Sequence, residues 1–327
     1  MTLKAWNVVA DIGGTNARFG LEDYASTQIQ LVKYYSVAEY DDFMDALKHF
    51  VDDVATVGGW ETSPKAACFA VACPVDGGVV PFTNSQWTLD RTAMIELLGG
   101  AAVHLINDFA AVGYAVTGIK PKDWCQIGGA MTAVPNKPIV ILGPGTGLGV
   151  CTLVPVGVGY QVIEGEGGHV DFAPVDAQEI AVLEILNRRF GRVSAERLLS
   201  GAGIVNTYQA LAQVLHLPIL HDTPQAITEA AISGKESLAV ETLEMFCRTL
   251  GAVAGNLVLI MGAKGGVYIA GGIAPNILKF IENSGFRIRF ESKGRFSDYL
   301  VDVPVRVIVK QDLGLFGAAK KLNLLEI

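Results

Sequence analysis

The sequence predicts an α/β protein with mixed sheets, built as two similar domains that face each other across a cleft. The first observation is that residues 6–37 contain three strand-like runs in succession, with the glycine turn 11–16 after the first run. The second is that residues 139–163 repeat this plan, with the glycine turn 143–147 in the same place. Three consecutive strands favour an antiparallel meander, and the helices and strands that follow favour parallel crossovers, so we expect mixed sheets.

The elements of the first half follow from hydrophobic periodicity and turn residues. Residues 40–57 carry apolar side chains three or four positions apart, which predicts an amphipathic helix. Its apolar face is predicted to hold Phe43, Leu47, Phe50, Val51 and Val54. The strands are predicted at 6–10, 17–21, 29–37, 66–72 and 101–107, and a second helix is predicted from a cap at Thr88 or Asp90 to about residue 98.

The second half is predicted to be richer in helix. After strands at 139–142, 149–155 and 159–163, we expect helices at 177–190, 195–215, 224–233, 236–261, 276–283 and 313–325, and strands at 266–270 and 304–309. The predicted domains are a small one of residues 1–117 with 304–327, and a large one of residues 118–303.

Composition argues against several function classes. The chain has 327 residues, a net charge of −8 and a pI of about 5.2, which disfavours a surface for nucleic acid or anionic membrane. The five cysteines form no CxxC pair, so we expect reduced thiols and no zinc site. The first residues lead directly into a strand without a signal peptide, and the uncharged stretches 138–163 and 249–263 are interpreted as buried core, so a cytoplasmic protein is predicted.

The pair Asn107-Asp108 lies where a predicted strand passes into a helix-like run. Open α/β folds place their ligands at this edge of the sheet, and a carboxylate there can take a proton from a hydroxyl group. Asp108 is therefore a candidate general base. The alternative is that Asp108 only caps the helix.

The two glycine turns are typical of phosphate binding. Glycine lets the backbone N–H groups approach an anion closely, and Thr15 and Thr146 add hydroxyl donors. Asp11 could hold Mg²⁺, through water. Neither turn has the Gly-Lys-Ser/Thr of a Walker loop, and Leu148 stands where a dinucleotide fingerprint needs its third glycine. Each turn alone could also be a plain hairpin.

Two further segments are candidates for ligand contacts. The strand that ends in Gly271-Gly272 would let a flat ring such as adenine pack on the backbone, or would simply make a tight turn. Glu166 and His169 lie among glycines and offer the paired acceptors and donors that a polyhydroxy ligand needs, with a metal site as the alternative. Glu196 could reach a ligand or favour the start of a helix.

Six motifs then occur in a characteristic order, and together they carry a family resemblance. They are Asp-Ile-Gly-Gly-Thr-Asn-Ala-Arg at 11–18, Ile-Asn-Asp-Phe at 106–109, Gly-Pro-Gly-Thr-Gly-Leu-Gly at 143–149, Gly-Glu-Gly-Gly-His at 165–169, Ser-Ala-Glu-Arg at 194–197 and Ala-Gly-Gly at 270–272. The chain resembles the bacterial-type ATP-dependent glucokinases of the hexokinase/actin/Hsp70-like fold. The zinc-binding relatives carry a CxCGxxGC cysteine cluster. This chain has no such cluster, so it resembles the branch of the family that binds no zinc.

The resemblance implies two ribonuclease-H-like domains around a central cleft, and transfer of the γ-phosphoryl group of ATP to the 6-hydroxyl of glucose. It implies Asp108 as the base, Mg²⁺ carried by ATP, no protein-bound metal, no nucleic-acid or membrane partner, and a homodimer. The implied sugar-binding residues are Asn84, Asn107, Asp108, Glu166, His169 and Glu196. The implied phosphate- and adenosine-binding residues are Asp11, Gly13, Gly14, Thr15, Asn16, Gly143, Gly145, Thr146, Gly147, Gly271 and Gly272. Glu164 is given no role.

Other functions remain open from the sequence. The same fold could accept mannose, fructose or an amino sugar, or could use polyphosphate or ADP as donor, because the orientation of a hydroxyl is read by distances. A sugar- or nucleotide-binding regulator would need no base, which Asp108 disfavours. An actin-like filament or a chaperone would not need the set Glu166, His169 and Glu196.

Overall fold

The computed structural model describes residues 2–73, 75, 77–82 and 86–325, which divide into two compact units. The first unit contains residues up to 119 and the segment from 310 onward, and the second contains residues 120–309. The predicted small domain included residues 304–309, but these lie in the second unit because their strand pairs within its sheet.

The elements agree with the predicted order over most of the chain. The strands are β1 Trp6–Ile12, β2 Asn16–Asp23, β3 Gln28–Ser36, β4 Ala66–Val71, β5 Val79–Pro81, β6 Thr88–Asp90, β7 Ala102–Asn107, β8 Trp124–Gly128, β9 Ile139–Pro144, β10 Leu148–Val156, β11 Gly159–Gly165, β12 Val267–Ile269 and β13 Val305–Ile308. The helices are α1 Phe43–Val57, α2 Arg91–Leu97, α3 Asp108–Val116, α4 Ala177–Phe190, α5 Gly201–Leu215, α6 Pro224–Ile232, α7 Ser237–Met261, α8 Ile273–Asn276, α9 Leu278–Asn283, α10 Phe286–Glu291, α11 Ser297–Leu300 and α12 Leu313–Leu325.

The sheet of the first unit is mixed, in the order β3-β2-β1-β4-β7. The meander β1–β3 is antiparallel, whereas β1, β4 and β7 run parallel. The register sets Ile12 beside Val71 and Val71 beside Asn107, so the carboxyl ends of the three parallel strands lie at one edge. The glycine turn after β1 and Asp108 after β7 therefore leave the sheet at the same edge.

One face of this sheet carries an aromatic core around Phe19. The Phe19 ring packs against Tyr35, Phe43, Phe50 and Phe69, with ring centroids 5.4 to 6.5 Å apart. Helix α1 supplies two of these rings, and the predicted face is buried except for the half-buried Val51. The helix begins at Phe43 rather than at 40, because the Asp42 side chain accepts a hydrogen bond from the Asp45 N–H and caps it.

The opposite face of the first sheet is covered by α3 and α12. The two helices are in close contact at Gly317, where a Cβ atom would lie 1.8 Å from the Ala111 carbonyl oxygen. A glycine at this position therefore sets the distance between α12 and α3, the helix that begins at Asp108.

The sheet of the second unit repeats the plan of the first. Its order is β11-β10-β9-β12-β13-β8, again with an antiparallel meander followed by parallel strands, and β8 adds an antiparallel edge strand. The predicted duplication of the meander and the mixed character of the sheets are thus confirmed.

Helix α7 forms the centre of the helical layer of the second unit. Among the described residues it is the one helix long and apolar enough to cross a membrane by length and composition, and 67% of its apolar window is buried inside the unit. A buried ion-pair group joins it to α4 and α10, because Glu179 of α4 is fully buried between Arg248 and Arg289.

Two predicted helices in the second unit are wrong in detail. The helix predicted at 195–215 is a short 3₁₀ turn, Ala195–Arg197, followed by α5, because Ser200 has an extended backbone and caps a new helix. The helix predicted at 276–283 is α9, which begins two residues later at Leu278, because Asn276 ends the separate short helix α8. The hairpin β5–β6, the strand β8 and the helices α10 and α11 were not predicted.

Replacing Gly317 with alanine tests the close approach of α12 and α3. In an open helix this change stabilises by up to about 1 kcal/mol, because alanine is the better helix former. Here the methyl group must displace the Ala111 carbonyl, so we expect the free energy of unfolding to fall by about 1–3 kcal/mol. Urea unfolding followed by tryptophan fluorescence measures it, since three of the four tryptophans lie in the first unit. A stabilised variant would contradict the predicted contact.

Candidate functional site

Asn107 and Asp108 occupy different positions at the start of α3. The Oδ1 atom of Asn107 accepts hydrogen bonds from the N–H groups of Phe109, at 2.9 Å, and Ala110, at 3.3 Å, so Asn107 is the helix cap. Asp108 is the first helical residue, and its Oδ1 atom accepts from the Phe109 N–H at 2.7 Å. The cap considered for Asp108 is thus supplied by Asn107, and the Asp108 carboxylate lies where the helix dipole favours negative charge.

The turn after β1 is a tight hairpin turn that joins the antiparallel strands β1 and β2. The Gly13 N–H donates to the Asn16 carbonyl at 2.9 Å, and the Val37 N–H holds the Thr15 carbonyl at 2.9 Å. Gly13 and Gly14 are half-buried, and Thr15 and Asn16 are exposed. The four predicted residues therefore form one small turn, in which the side chains of Thr15 and Asn16 are exposed.

Asp11 lies before this turn, inside β1, and is held by Arg18. The Arg18 guanidinium is 3.2 Å from the Asp11 carboxylate and 3.8 Å from that of Asp312. Burial raises the pKa of the Asp11 carboxyl above its ordinary value, although Arg18 beside it acts in the opposite direction. The Asp11 carboxyl is therefore an oriented and partly desolvated group, rather than a mobile surface acid.

The second unit contains a cavity of about 800 Å³, a size common for small-molecule sites. Three predicted residues, Gly145, Thr146 and Gly272, line it. The two glycine segments that the sequence analysis treated separately, 143–147 and 271–272, thus meet at one cavity. Its other walls are formed by the start of α5, by α6 and by α8.

The start of α5 is bound directly to the glycine turn. The Gly201 N–H donates to the Gly145 carbonyl at 2.8 Å, and the Gly145 N–H donates to the Gly147 carbonyl at 2.8 Å. The Ser200 hydroxyl caps α5 by accepting from the Gly203 N–H at 3.0 Å. The Gly145, Gly201 and Gly203 N–H groups are thus used within the unit, and a helix start beside the turn favours phosphate binding because the helix dipole attracts an anion.

Gly271 allows the end of β12 to pass against the same turn. Its φ of +79° lies in the left-handed region, and a Cβ atom there would lie 2.4 Å from the Pro144 carbonyl oxygen. Gly272 has open space around it and lines the cavity. Gly271 therefore acts as a spacer for the backbone, whereas Gly272 is the residue that a ligand could contact.

Sequence reasoning missed part of this cavity. Helix α6 contributes a wall of mixed polarity, and the helix predicted at 195–215 concealed the start of α5. The Ser200-Gly201 pair was the available signal, since serine is a preferred helix cap. The α6 residues that line the cavity are Pro224, Gln225, Thr228, Glu229 and Ile232.

Glu166, His169 and Glu196 are brought together by a short pairing of two chain segments. The Ala195 N–H donates to the Val170 carbonyl at 2.8 Å, directly after His169 and before Glu196. Arg192 fixes the first segment further, because its guanidinium donates to the His169 carbonyl at 2.7 Å. The Glu166 and His169 side chains remain largely exposed, at 80% and 57%, so both are open to a ligand.

Among the described residues, Glu166 and His169 have no third side chain of a metal-ligand type grouped with them. The nearest approach of their side chains is 4.0 Å, between His169 Nε2 and Glu166 Oε2. Across the ranges that the structure describes, no cluster of three or more His, Cys, Asp or Glu side chains could hold a metal ion. Asn84, the remaining predicted sugar-binding residue, lies outside the described residues.

A model of the glucokinase family matches residues 8–324. The chain belongs to the glucokinase family. It is 42% identical to a glucokinase from Shigella sonnei over 321 residues, which cover 98% of each chain. The match spans every candidate site segment described above.

Solved structures give the same family and fold. The crystal structure of a glucokinase from an Antarctic psychrotroph is 34% identical, has a TM-score of 0.87, and is covered over 98% of this chain and 99% of its own. A ROK family glucokinase from Streptomyces griseus, solved with glucose and AMPPNP, is 18% identical with a TM-score of 0.60 over 97% and 99% of the two chains, and shares the fold. The predicted α/β fold of this superfamily is confirmed.

A matched pair of substitutions tests the spacer function of Gly271. Gly271→Ala forces a left-handed backbone on alanine and places a methyl group against the Pro144 carbonyl. We therefore expect the free energy of unfolding to fall by at least about 2 kcal/mol. Gly272→Ala has a φ of −79° and open space, so we expect a change below about 1 kcal/mol. Thermal unfolding compares the two variants, and equal stability would contradict the close contact between Gly271 and the Pro144 carbonyl.

Proposed function

We propose that this protein is a glucokinase that transfers the γ-phosphoryl group of ATP to the 6-hydroxyl of D-glucose and forms glucose 6-phosphate and ADP. The observation that carries the proposal is the end-to-end match to the family, at 42% identity over 98% of both chains. The family model spans residues 8–324, so it covers both glycine turns and the three candidate sugar segments.

ATP is proposed to bind in the cavity of the second unit. The phosphates would lie at the turn 143–147, where the dipole of α5 favours an anion, and the segment at Gly272 with α8 and α6 offers a wall for adenosine. The turn at Gly13, Gly14, Thr15 and Asn16 is proposed to contact the transferred phosphate. AMPPNP in the Streptomyces griseus glucokinase supports ATP as the donor.

Mg²⁺ enters with ATP as part of the substrate. The residues present fit this arrangement, because Asp11 offers an oriented carboxylate of the oxygen type that Mg²⁺ prefers. Bound Mg²⁺ would neutralise charge that develops on the phosphates. Asp11 is proposed to orient the hydrated ion, with Arg18 fixing the position of the carboxylate.

The sugar is proposed to be held by Asn84, Asn107, Glu166, His169 and Glu196. Asn107 already uses its Oδ1 atom twice in the helix cap, so its contact with a hydroxyl would be a donation from the amide nitrogen. Glu166 and His169 offer exposed groups that accept and donate hydrogen bonds. Glucose in the Streptomyces griseus glucokinase supports a sugar substrate.

Asp108 is proposed to be the general base. In phosphoryl transfer the protein contributes mainly position and charge, and the base orients the hydroxyl group and accepts its proton. The first turn of α3 fixes Asp108, because Asn107 caps the helix and the Asp108 carboxylate accepts from its neighbour's N–H. A regulator that binds the sugar without turnover would not need this carboxylate.

The protein is further proposed to be a cytoplasmic homodimer. This assignment rests on the family resemblance, and on five free cysteines that suit a reducing compartment. Sedimentation of the purified protein tests the dimer directly.

The variant Asp108→Asn tests the role of Asp108 as general base without removing its contact with the backbone. Asparagine keeps an Oδ1 atom for the Phe109 N–H but cannot accept a proton at neutral pH, so we expect kcat to fall by at least about a hundredfold. The measurement is coupled ADP release with MgATP and a panel of hexoses, beside the affinity for AMPPNP, which should change less than about threefold.

Asp90→Asn is the matched control for this variant. Asp90 caps α2 through two backbone N–H groups, and asparagine caps equally well, so turnover should stay at the wild-type level. Near-normal turnover in Asp108→Asn would refute the base. Turnover with another hexose only would keep the mechanism and change the substrate.

A further inference from the structure

We propose that Glu196 is a positioning residue that links the bound sugar to the phosphate turn 143–147. The inference rests on the proposed function. It assigns the Glu196 carboxylate a second role in addition to its contact with the sugar. The Oε2 atom of Glu196 accepts a hydrogen bond from the Leu148 N–H at 2.8 Å, directly after the turn. The Oε1 atom then serves the sugar hydroxyl.

One short segment holds the turn at two points. Glu196 accepts from the Leu148 N–H directly after the turn, and the Gly201 N–H donates to the carbonyl of the middle residue, Gly145, at 2.8 Å. The segment between them is itself stiffened, because the Ser200 hydroxyl donates to the Glu196 carbonyl at 2.9 Å. A shift of Glu196 therefore shifts the backbone that is to receive the phosphates.

Gly147 provides the space that this contact needs. A Cβ atom at Gly147 would lie 2.5 Å from Glu196 Oε2 and 3.3 Å from its Cδ atom, and beyond the adjoining residues of the chain no other described residue comes within 4 Å. The φ of Gly147 lies outside the left-handed region, so alanine fits its backbone. Gly147→Ala is thus a substitution that acts on the Glu196 carboxylate while leaving that residue in place.

The same carboxylate therefore couples two ligands. A sugar hydroxyl that orients Glu196 also fixes the N–H side of the phosphate turn, and by linkage a bound triphosphate fixes Glu196 for the sugar. Loss of the carboxylate should then affect the kinetic constants of ATP as well as those of glucose, although Glu196 is predicted to contact only the sugar.

A double-mutant cycle with Gly147→Ala and Glu196→Ala tests this coupling. In the wild-type background we expect Gly147→Ala to lower kcat/KM for ATP about tenfold, because the methyl group displaces the carboxylate. In the Glu196→Ala background the methyl group has space, so Gly147→Ala should lower kcat/KM for ATP less than about threefold. Equal costs in the two backgrounds would overturn the inference.

Glu196→Gln gives a second, independent comparison. Glutamine keeps an oxygen that can accept from the Leu148 N–H, so KM for ATP should stay within about threefold of wild type while KM for glucose rises. Glu196→Ala should raise both KM values about fivefold or more. An unchanged KM for ATP in Glu196→Ala would overturn the link even if the Gly147 variants were unstable.

Controls separate this inference from the proposed function. Gly159→Ala makes the same substitution in open space on the β10–β11 hairpin, and should leave both KM values unchanged. Wild-type turnover of glucose is measured first, and its absence contradicts the proposed function. If the enzyme is active but the effects of Gly147→Ala and Glu196→Ala on kcat/KM are additive, the coupling is contradicted and the proposed function is not. Thermal unfolding of each variant identifies losses that come from folding.

Discussion

The hydrogen bond from the Gly201 N–H to the Gly145 carbonyl is the contact on which the second unit's site depends. It fixes the start of α5 against the turn after β9, so that the positive end of the helix dipole lies beside the glycine loop. The end of β12 also packs against this turn, and its close approach to the Pro144 carbonyl needs the left-handed glycine Gly271. The phosphate site is therefore a property of backbone packing more than of charged side chains.

The first unit uses the same sheet plan for another task. Its three parallel strands end in register, so the turn after β1 and the start of α3 share one edge. Asn107 caps α3 and thereby leaves Asp108 as the first helical residue, with its carboxylate oriented by a backbone N–H. Gly317 holds α3 close to α12 beneath that edge. The position of one candidate base thus depends on a cap, a strand register and a helix contact.

Much of this could be predicted from the sequence, because periodicity and glycine turns are local signals. The duplicated meander, helix α1 and the turns at 11–16 and 143–147 belong to this class. The break at Ser200 was missed although serine is a preferred helix cap, because the apolar spacing continues through it and favours one long helix. The strand 305–308 was placed in the other domain, because sheet partners are set by contacts distant in sequence. The bond between Glu196 and Leu148 spans 48 residues and leaves no local signal.

The most direct test is the identity of the phosphorylated product. The protein is incubated with MgATP and glucose, and the product is examined by ³¹P–¹H correlation NMR. We expect a new phosphorus signal coupled to the two protons on C6, formed in equal amount to ADP. Release of inorganic phosphate with unchanged glucose, or phosphorus coupled to a proton on another carbon, would contradict phosphoryl transfer to the 6-hydroxyl.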